Sequence, residues 1–276
     1  MKLISTGSLG LLGTNILSIL ERSFTVIPYD IEEWDITDRD AGERVIADIR
    51  PQVILNLAAY TNVDDCEDCL SLADSVNAEG AGIIAGLCKE HNIKFVHIST
   101  DYVFDGEKDS PYTEDDMPNP GSVYGFSKLS GERKVLASYP DATIIRTQWL
   151  YGHGGVNFIS KITKIARETG VAEVVNDQRG CPTYSKDLAE PIRLLIEKNR
   201  TGIYHVANAG SCTWFDFASE IFSILHMDVA LKPINSQQLN RKAKRPRNSV
   251  FDCSKLSRET DHNMRTWQDA LREYLG

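Results

Sequence analysis

Short apolar runs and amphipathic stretches alternate along most of this chain. Lys2 to Thr6 reads as a buried strand, and beyond a glycine-rich turn comes a helix with apolar positions at Leu12, Ile16, Leu17, Ile19 and Leu20. Phe24 to Asp30 predicts a second strand. A polar helix from Asp38 to about Arg50 leads to a third, with Val53 to Leu57 as its apolar core and Ala58 to Thr61 as its loop. A long helix from Leu70 to His91, with Ala73, Val76, Ala81, Ile84 and Leu87 on its inner side, precedes a fourth strand from Lys94 to Ser99. A helix from about Ser122 to Ala137 and a strand from Ala142 to Arg146 continue the series. This alternation predicts an α/β fold: a Rossmann-type doubly wound parallel sheet.

Past Gly152 the pattern is more mixed. Helices are predicted for Asn157 to Thr169, Lys186 to Lys198, Trp214 to Leu225 and Arg265 to Tyr274, with strands at Ala172 to Val175 and Gly202 to Val206. The remaining C-terminal residues read as loop. The expected organisation is a dinucleotide-binding part over residues 1–151 and a mainly substrate-binding part over residues 152–276, some of whose segments return to the first sheet.

Composition narrows the class. Apolar residues make up 42% of the 276 positions and charged residues 25%, ordinary for a globular protein and wrong for disorder. A formal net charge of −9 argues against generic attraction to nucleic acid or anionic membrane. No apolar run is long enough for a transmembrane helix. The apolar stretch behind Lys2 carries regular glycines and no Ala-x-Ala site, so it is not read as a signal peptide. Six scattered cysteines fit free thiols in a reducing cytoplasm. Cys66 and Cys69 form a lone C-x-x-C with no partner pair at zinc spacing, and no metal is expected there.

The candidate chemistry lies where predicted strands end. Gly7, Gly10 and Gly13 give G-x-x-G-x-x-G between a strand and a helix, a spacing that lets backbone approach a pyrophosphate at the helix N-terminus. Asp30 follows about twenty residues on, placed to bond a ribose hydroxyl and to disfavour a 2′-phosphate. Ser99, Thr100 and Asp101 close the fourth strand. Tyr124 and Lys128 are four residues apart on a predicted helix, so they share a face, and a neighbouring ammonium favours the phenolate of a tyrosine. Such a pair can deliver a proton to an alkoxide as it forms. The basic run Arg241 to Arg247 reads either as a solvated loop or as a clamp for a phosphorylated ligand.

Together these segments resemble the extended short-chain dehydrogenase/reductase superfamily, and more closely the dTDP-4-dehydrorhamnose reductase family. The likeness runs through Asn56 to Asp64, Ser99 to Gly106, Tyr124-Gly125-x-Ser127-Lys128-Leu129, Ile145 to Gly152, Val175 to Thr183, Trp214 to Ala218 and Ala243 to Pro246. It implies reduction, dependent on NADPH or NADH, of the C4 ketone of dTDP-4-dehydro-β-L-rhamnose, for deoxysugar and polysaccharide biosynthesis. By that likeness Tyr124 donates the proton, Lys128 lowers its pKa and binds the nicotinamide ribose, and Thr100 bonds the ketone oxygen. Asp101 and Trp149 match substrate contacts. Gly10, Leu11, Leu12, Asp30, Asp35, Ile36, Ala59, Tyr60 and Thr61 match cofactor contacts. Arg245 is expected on the substrate diphosphate. Ser8, Leu9 and Leu11 depart from the family's turn, and Leu9 is placed to crowd the phosphates. Some relatives use Mg2+ at an acidic subunit interface, which also admits a homodimer, but this sequence shows no dedicated ligand cluster.

Two other readings stay open. One is a regulatory subunit that binds NADP without turnover. The other is an epimerase or reductase of a different nucleotide sugar, a choice expected to rest on Trp149, the loop from Gln178 to Thr183, and Lys244 and Arg245.

Overall fold

Six parallel strands form the central sheet of the computed structural model, which describes residues 1–276. They are β1 (Lys2–Thr6), β2 (Thr25–Pro28), β3 (Val53–Asn56), β4 (Lys94–Thr100), β5 (Thr143–Thr147) and a last strand, Gly202–His205. In space the order is Gly202–His205, β5, β4, β3, β1, β2. The strands read as near-continuous apolar runs because both faces are covered, and successive side chains serve opposite cores. Leu3, Val53 and Leu55 pack on one side with Leu12, Ile16 and Ile192. Ile4 and Ile54 pack on the other with Trp34, Ile84 and Phe95. The doubly wound reading of the sequence is what the structure has.

Local signals account for the helix boundaries. Asp38 caps the Arg39–Ile49 helix by accepting from the Ala41 N–H, and Ser122 caps the Val123–Ser138 helix by accepting from the Gly125 N–H. The long helix expected over Leu70 to His91 is interrupted. Helical segments Leu70–Asp74 and Ala81–Glu90 flank a π-helical stretch, Ser75–Gly80. That wide turn directs Asn77 sideways: its Oδ1 accepts from the Tyr60 N–H at 2.8 Å, and its Nδ2 donates to Tyr60 O at 3.0 Å and Ser127 Oγ at 2.9 Å.

A third core, with Tyr151, Ile162, Phe217 and Trp267, lies in the C-terminal part. The loop reading of the end of the chain needs correction there. Ala230–Ile234 is a strand paired in parallel with Val171–Val175, and Ser254–Thr260 is a helix. Ala230, Lys232 and Pro233 are exposed, so this edge strand lacks the apolar run that marks a buried one. Gly202–His205 pairs with β5, which brings a segment of the C-terminal part back to the central sheet. No helix is long and apolar enough to cross a membrane.

Candidate active site

The carboxyl ends of the sheet strands open into a cavity of about 660 Å³. The glycine-rich turn forms one wall. Gly7 has φ +67°, and a Cβ on it would stand 2.6 Å from Ala58 N, so this position requires glycine. The Leu11–Leu20 helix starts at Gly10 without a side-chain cap, which leaves its first amides for an anion. Asp30 lines the same cavity, and its carboxylate is tethered: Oδ2 accepts from the Leu9 N–H and Oδ1 from the Ile31 N–H, each at 2.9 Å. The expectation that Leu9 crowds the phosphates is corrected, because its side chain is 78% exposed and stands outside the cavity.

Tyr124, Lys128 and Thr100 line the same cavity. Burial raises the Tyr124 hydroxyl well above its ordinary range, with a hydrogen bond to Thr100 opposing the shift. Lys128 is 2% exposed, and its Nζ donates to Ile98 O at 2.7 Å. Burial brings Lys128 down to about 8, with Glu132 pulling the other way. In the protein alone burial therefore dominates the phenol, and Tyr124 holds its proton at neutral pH. An acid for a reduction needs that proton in place.

Asp101 is 2% exposed, and its Oδ2 has no hydrogen-bond partner. Burial pushes its carboxyl up to about 6, opposed by Ser249 and Thr100. Beneath the site, Ser99 Oγ donates to Glu132 Oε1 at 2.5 Å, and Arg146 grips both Glu132 oxygens at 2.9 and 2.7 Å. All three side chains are buried, and the network ties the Tyr124 helix to β4 and β5.

A second cavity of about 280 Å³ adjoins the first, with Asp101, Tyr102 and Trp149 lining both. Its far wall includes Phe158, Gln178, Trp214, Arg241 and Arg245. Arg245 is engaged there in a bidentate pair with Asp64, at 3.1 and 2.9 Å. The pair holds the Asp64 carboxyl down at about 2.

A family model described as the RmlD substrate binding domain matches residues 1–276. The chain belongs to this family. It is 40% identical over 276 residues to a dTDP-4-dehydrorhamnose reductase of Streptomyces griseus, covering 97% of this chain and 91% of that one. It superposes with a TM-score of 0.96 on a dTDP-4-dehydrorhamnose reductase of Clostridium acetobutylicum, at 39% identity over 100% and 98% of the two chains. The enzyme of that name from Bacillus anthracis, whose structure holds NADP, aligns with a TM-score of 0.94 at 37% identity, over 99% and 98%.

As an RmlD-family chain, the protein brings most of the residues read from its sequence into one place. Gly7, Gly10, Leu11, Leu12, Asp30, Ile36, Ala59, Thr61, Thr100, Asp101, Tyr124, Lys128 and Trp149 all line the larger cavity. Gly13, Asp35 and Tyr60 do not. A Cβ on Gly13 would stand 2.3 Å from Ser8 O, so that position serves packing of the turn. Asp35 is exposed and accepts from the Thr37 N–H and hydroxyl, and the Tyr60 hydroxyl donates to Asp65. Trp34, Val63 and Val76 also line the cavity, beyond the contacts that the sequence predicts. Trp34 sits four residues past Asp30, on the ligand side of β2, which was the available signal. No group of three or more His, Cys, Asp or Glu residues is arranged to hold a metal ion.

Proposed function

We propose that the protein reduces the C4 ketone of dTDP-4-dehydro-β-L-rhamnose to dTDP-β-L-rhamnose in the cytoplasm, with the dinucleotide in the larger cavity and the nucleotide sugar in the smaller. The observation that carries this reading is that Tyr124, Lys128 and Thr100 line one cavity together with a glycine turn suited to a pyrophosphate. Gly7, the uncapped amides after Gly10 and the tethered Asp30 suit the dinucleotide. When bound, it supplies the hydride.

The protein's own groups manage the oxygen. Negative charge grows on that atom as C4 is reduced, and Thr100 and Tyr124 are preplaced donors on one side of it. Tyr124, kept protonated by burial, gives up its proton to complete the alcohol. Trp149, Asp101 and Arg245 orient the nucleotide sugar, and Arg245 binds its diphosphate alongside Arg241. The coenzyme preference we infer is NADH. Asp30 is held by two backbone amides and cannot readily swing away, and Glu33 Oε2 accepts from the Asp30 N–H at 3.0 Å, so a 2′-phosphate would face two carboxylates.

The test supplies purified protein with several nucleotide 4-ketosugars and each coenzyme, following loss of reduced nicotinamide and product stereochemistry by NMR. Consumption with the dTDP-4-dehydrorhamnose substrate and formation of the rhamnose epimer support the reading. Coenzyme binding without turnover on any ketosugar would convert the assignment to a regulatory subunit. Inversion without net oxidation of coenzyme would convert it to an epimerase.

A further inference from the structure

A line of buried polar side chains joins the Tyr124 helix to the middle of the sheet, and the reduction described above does not use it. Thr6 on β1, Asn56 on β3 and His97 on β4 are each at most 1% exposed. Buried polar groups are expected to be paired, and here the pairing has a direction.

Donors and acceptors are fixed from one end. The Ala58 backbone N–H can only donate, and it donates to Asn56 Oδ1 at 3.1 Å; Thr6 Oγ1 donates to the same oxygen at 2.7 Å. The amide nitrogen of Asn56 therefore faces the ring of His97, and Nδ2 donates to His97 Nδ1 across 3.1 Å. A ring nitrogen that accepts carries no hydrogen. Burial and the charge of Lys128 keep His97 neutral, so its single ring hydrogen sits on Nε2.

Nε2 lies 3.4 Å from Lys128 Nζ. An ammonium only donates, so it offers nothing to an Nε2–H pointing at it, whereas a neutral amine offers a lone pair. We propose that Asn56 and His97 are positioning residues of the reduction: Asn56 fixes the Nε2–H tautomer of His97, and that hydrogen favours the amine form of Lys128, which then yields its proton readily to the Tyr124 phenolate. The use made of this device rests on the reductase reading, while its geometry does not.

The proton balance is simple. The Tyr124 O–H bond breaks as its proton joins the new alcohol oxygen. Lys128 Nζ bonds Ile98 O and faces His97 and makes no direct hydrogen bond to Tyr124, so the phenolate takes the Lys128 proton through a bridging hydroxyl or water; the Lys128 N–H bond breaks, and His97 Nε2–H donates to the lone pair left on Nζ. Another Nζ hydrogen stays on Ile98 O. Solvent restores the missing proton after product leaves. Tyr124 and Glu132 flank Lys128 on its own helix, His97 faces it from β4, and Asp101 shares its cavity. Glu132 favours the ammonium, but its charge is already committed to Arg146.

Two NMR measurements on the full chain test this without substrate or turnover, so they can fail while the reductase assignment stands. Nitrogen-15 labelled histidine reads the His97 tautomer, assigned against His97→Gln, and carbon-13 at lysine Cε reads the Lys128 titration. The expected wild-type result is the Nε2–H tautomer. In Asn56→Asp the carboxylate still accepts from Ala58 and Thr6 but cannot donate. His97 is then expected to move its hydrogen to Nδ1, and the Lys128 midpoint to rise by roughly one unit or more. A wild-type hydrogen on Nδ1 overturns the proposal. So does a tautomer switch that leaves the Lys128 midpoint where it was, or a midpoint that rises with no switch, which would be the direct effect of the new charge. If Asn56→Asp does not fold, the wild-type tautomer alone still decides whether the proposal survives.

Discussion

The indoles of Trp149 and Trp214 lie face to face, with centroids 3.6 Å apart and planes 6° from parallel. Trp149 holds φ +48°, an uncomfortable backbone for an aromatic residue, and Gly180 leaves room for it: a Cβ there would stand 2.5 Å from the Trp149 ring. The stack fixes Trp149 between the two cavities. Trp214→Ala is expected to raise KM for the nucleotide sugar about 3- to 10-fold, the worth of one aromatic pair, with kcat changed much less. Steady-state kinetics with varied nucleotide sugar measure both.

Tyr124→Phe removes the acid but keeps the ring that packs edge-on against Tyr102 at 5.4 Å. A kcat lower by roughly 10²- to 10⁴-fold is expected, with dinucleotide affinity nearly unchanged. Turnover together with a coenzyme-binding titration separates the two quantities, and a variant with normal kcat would remove Tyr124 from the mechanism.

Asp101 gives the fold a pH dependence of definite sign. Its folded pKa of about 6 is higher than the ordinary carboxyl value, so the folded protein binds the proton more tightly than the unfolded chain does. Stability is therefore lost as pH rises from about 4 to about 6, by roughly 3 kcal/mol for a shift of this size, and is flat in this respect above that. Asp101→Asn lacks the effect. The change in unfolding free energy from about pH 4 to about pH 6, from urea titrations at both ends, should be more favourable in the variant than in the wild type by about that amount.

Arg245 is prepaired by Asp64, so a diphosphate would meet a guanidinium already fixed in place. Arg245→Ala is expected to raise KM for the nucleotide sugar about 10- to 100-fold, the range for a lost charged hydrogen bond. An unchanged KM would take Arg245 out of the substrate site.

Asp30→Ser should raise kcat/KM for NADPH relative to NADH by about tenfold, because the carboxylate that repels a 2′-phosphate is gone. Parallel assays with the two coenzymes read the ratio. A wild type already favouring NADPH would contradict the role given to Asp30.

Much of this site is legible in the sequence. Helical spacing places Tyr124 and Lys128 on one face, and strand-end logic puts Thr100, Asp101 and Trp149 beside the glycine turn, because both depend only on neighbours along the chain. What escaped depends on neighbours across it. Asn56, His97 and Lys128 form a line only because β3 and β4 are adjacent in register, with Asn56 opposite His97. Trp34 follows the ligand end of β2, but its turn into the cavity comes with the core it shares with Ile36 and Ile46, which its spacing from Asp30 announces only in part. The π-helical turn at Ser75–Gly80 and the edge strand Ala230–Ile234 carry ordinary helical and weakly apolar sequence, so their geometry comes from tertiary contacts.

One of the two edge strands of the central sheet is supplied by Gly202–His205, long after the chain has entered its other half. Chimeras made by joining two relatives at Gly152 would therefore mate a foreign edge strand to β5. A fragment stopped at that point would bare the N–H and C=O row of β5 and invite aggregation. Exchanges of sugar specificity in this scaffold should keep Gly202–His205 with the sheet it completes.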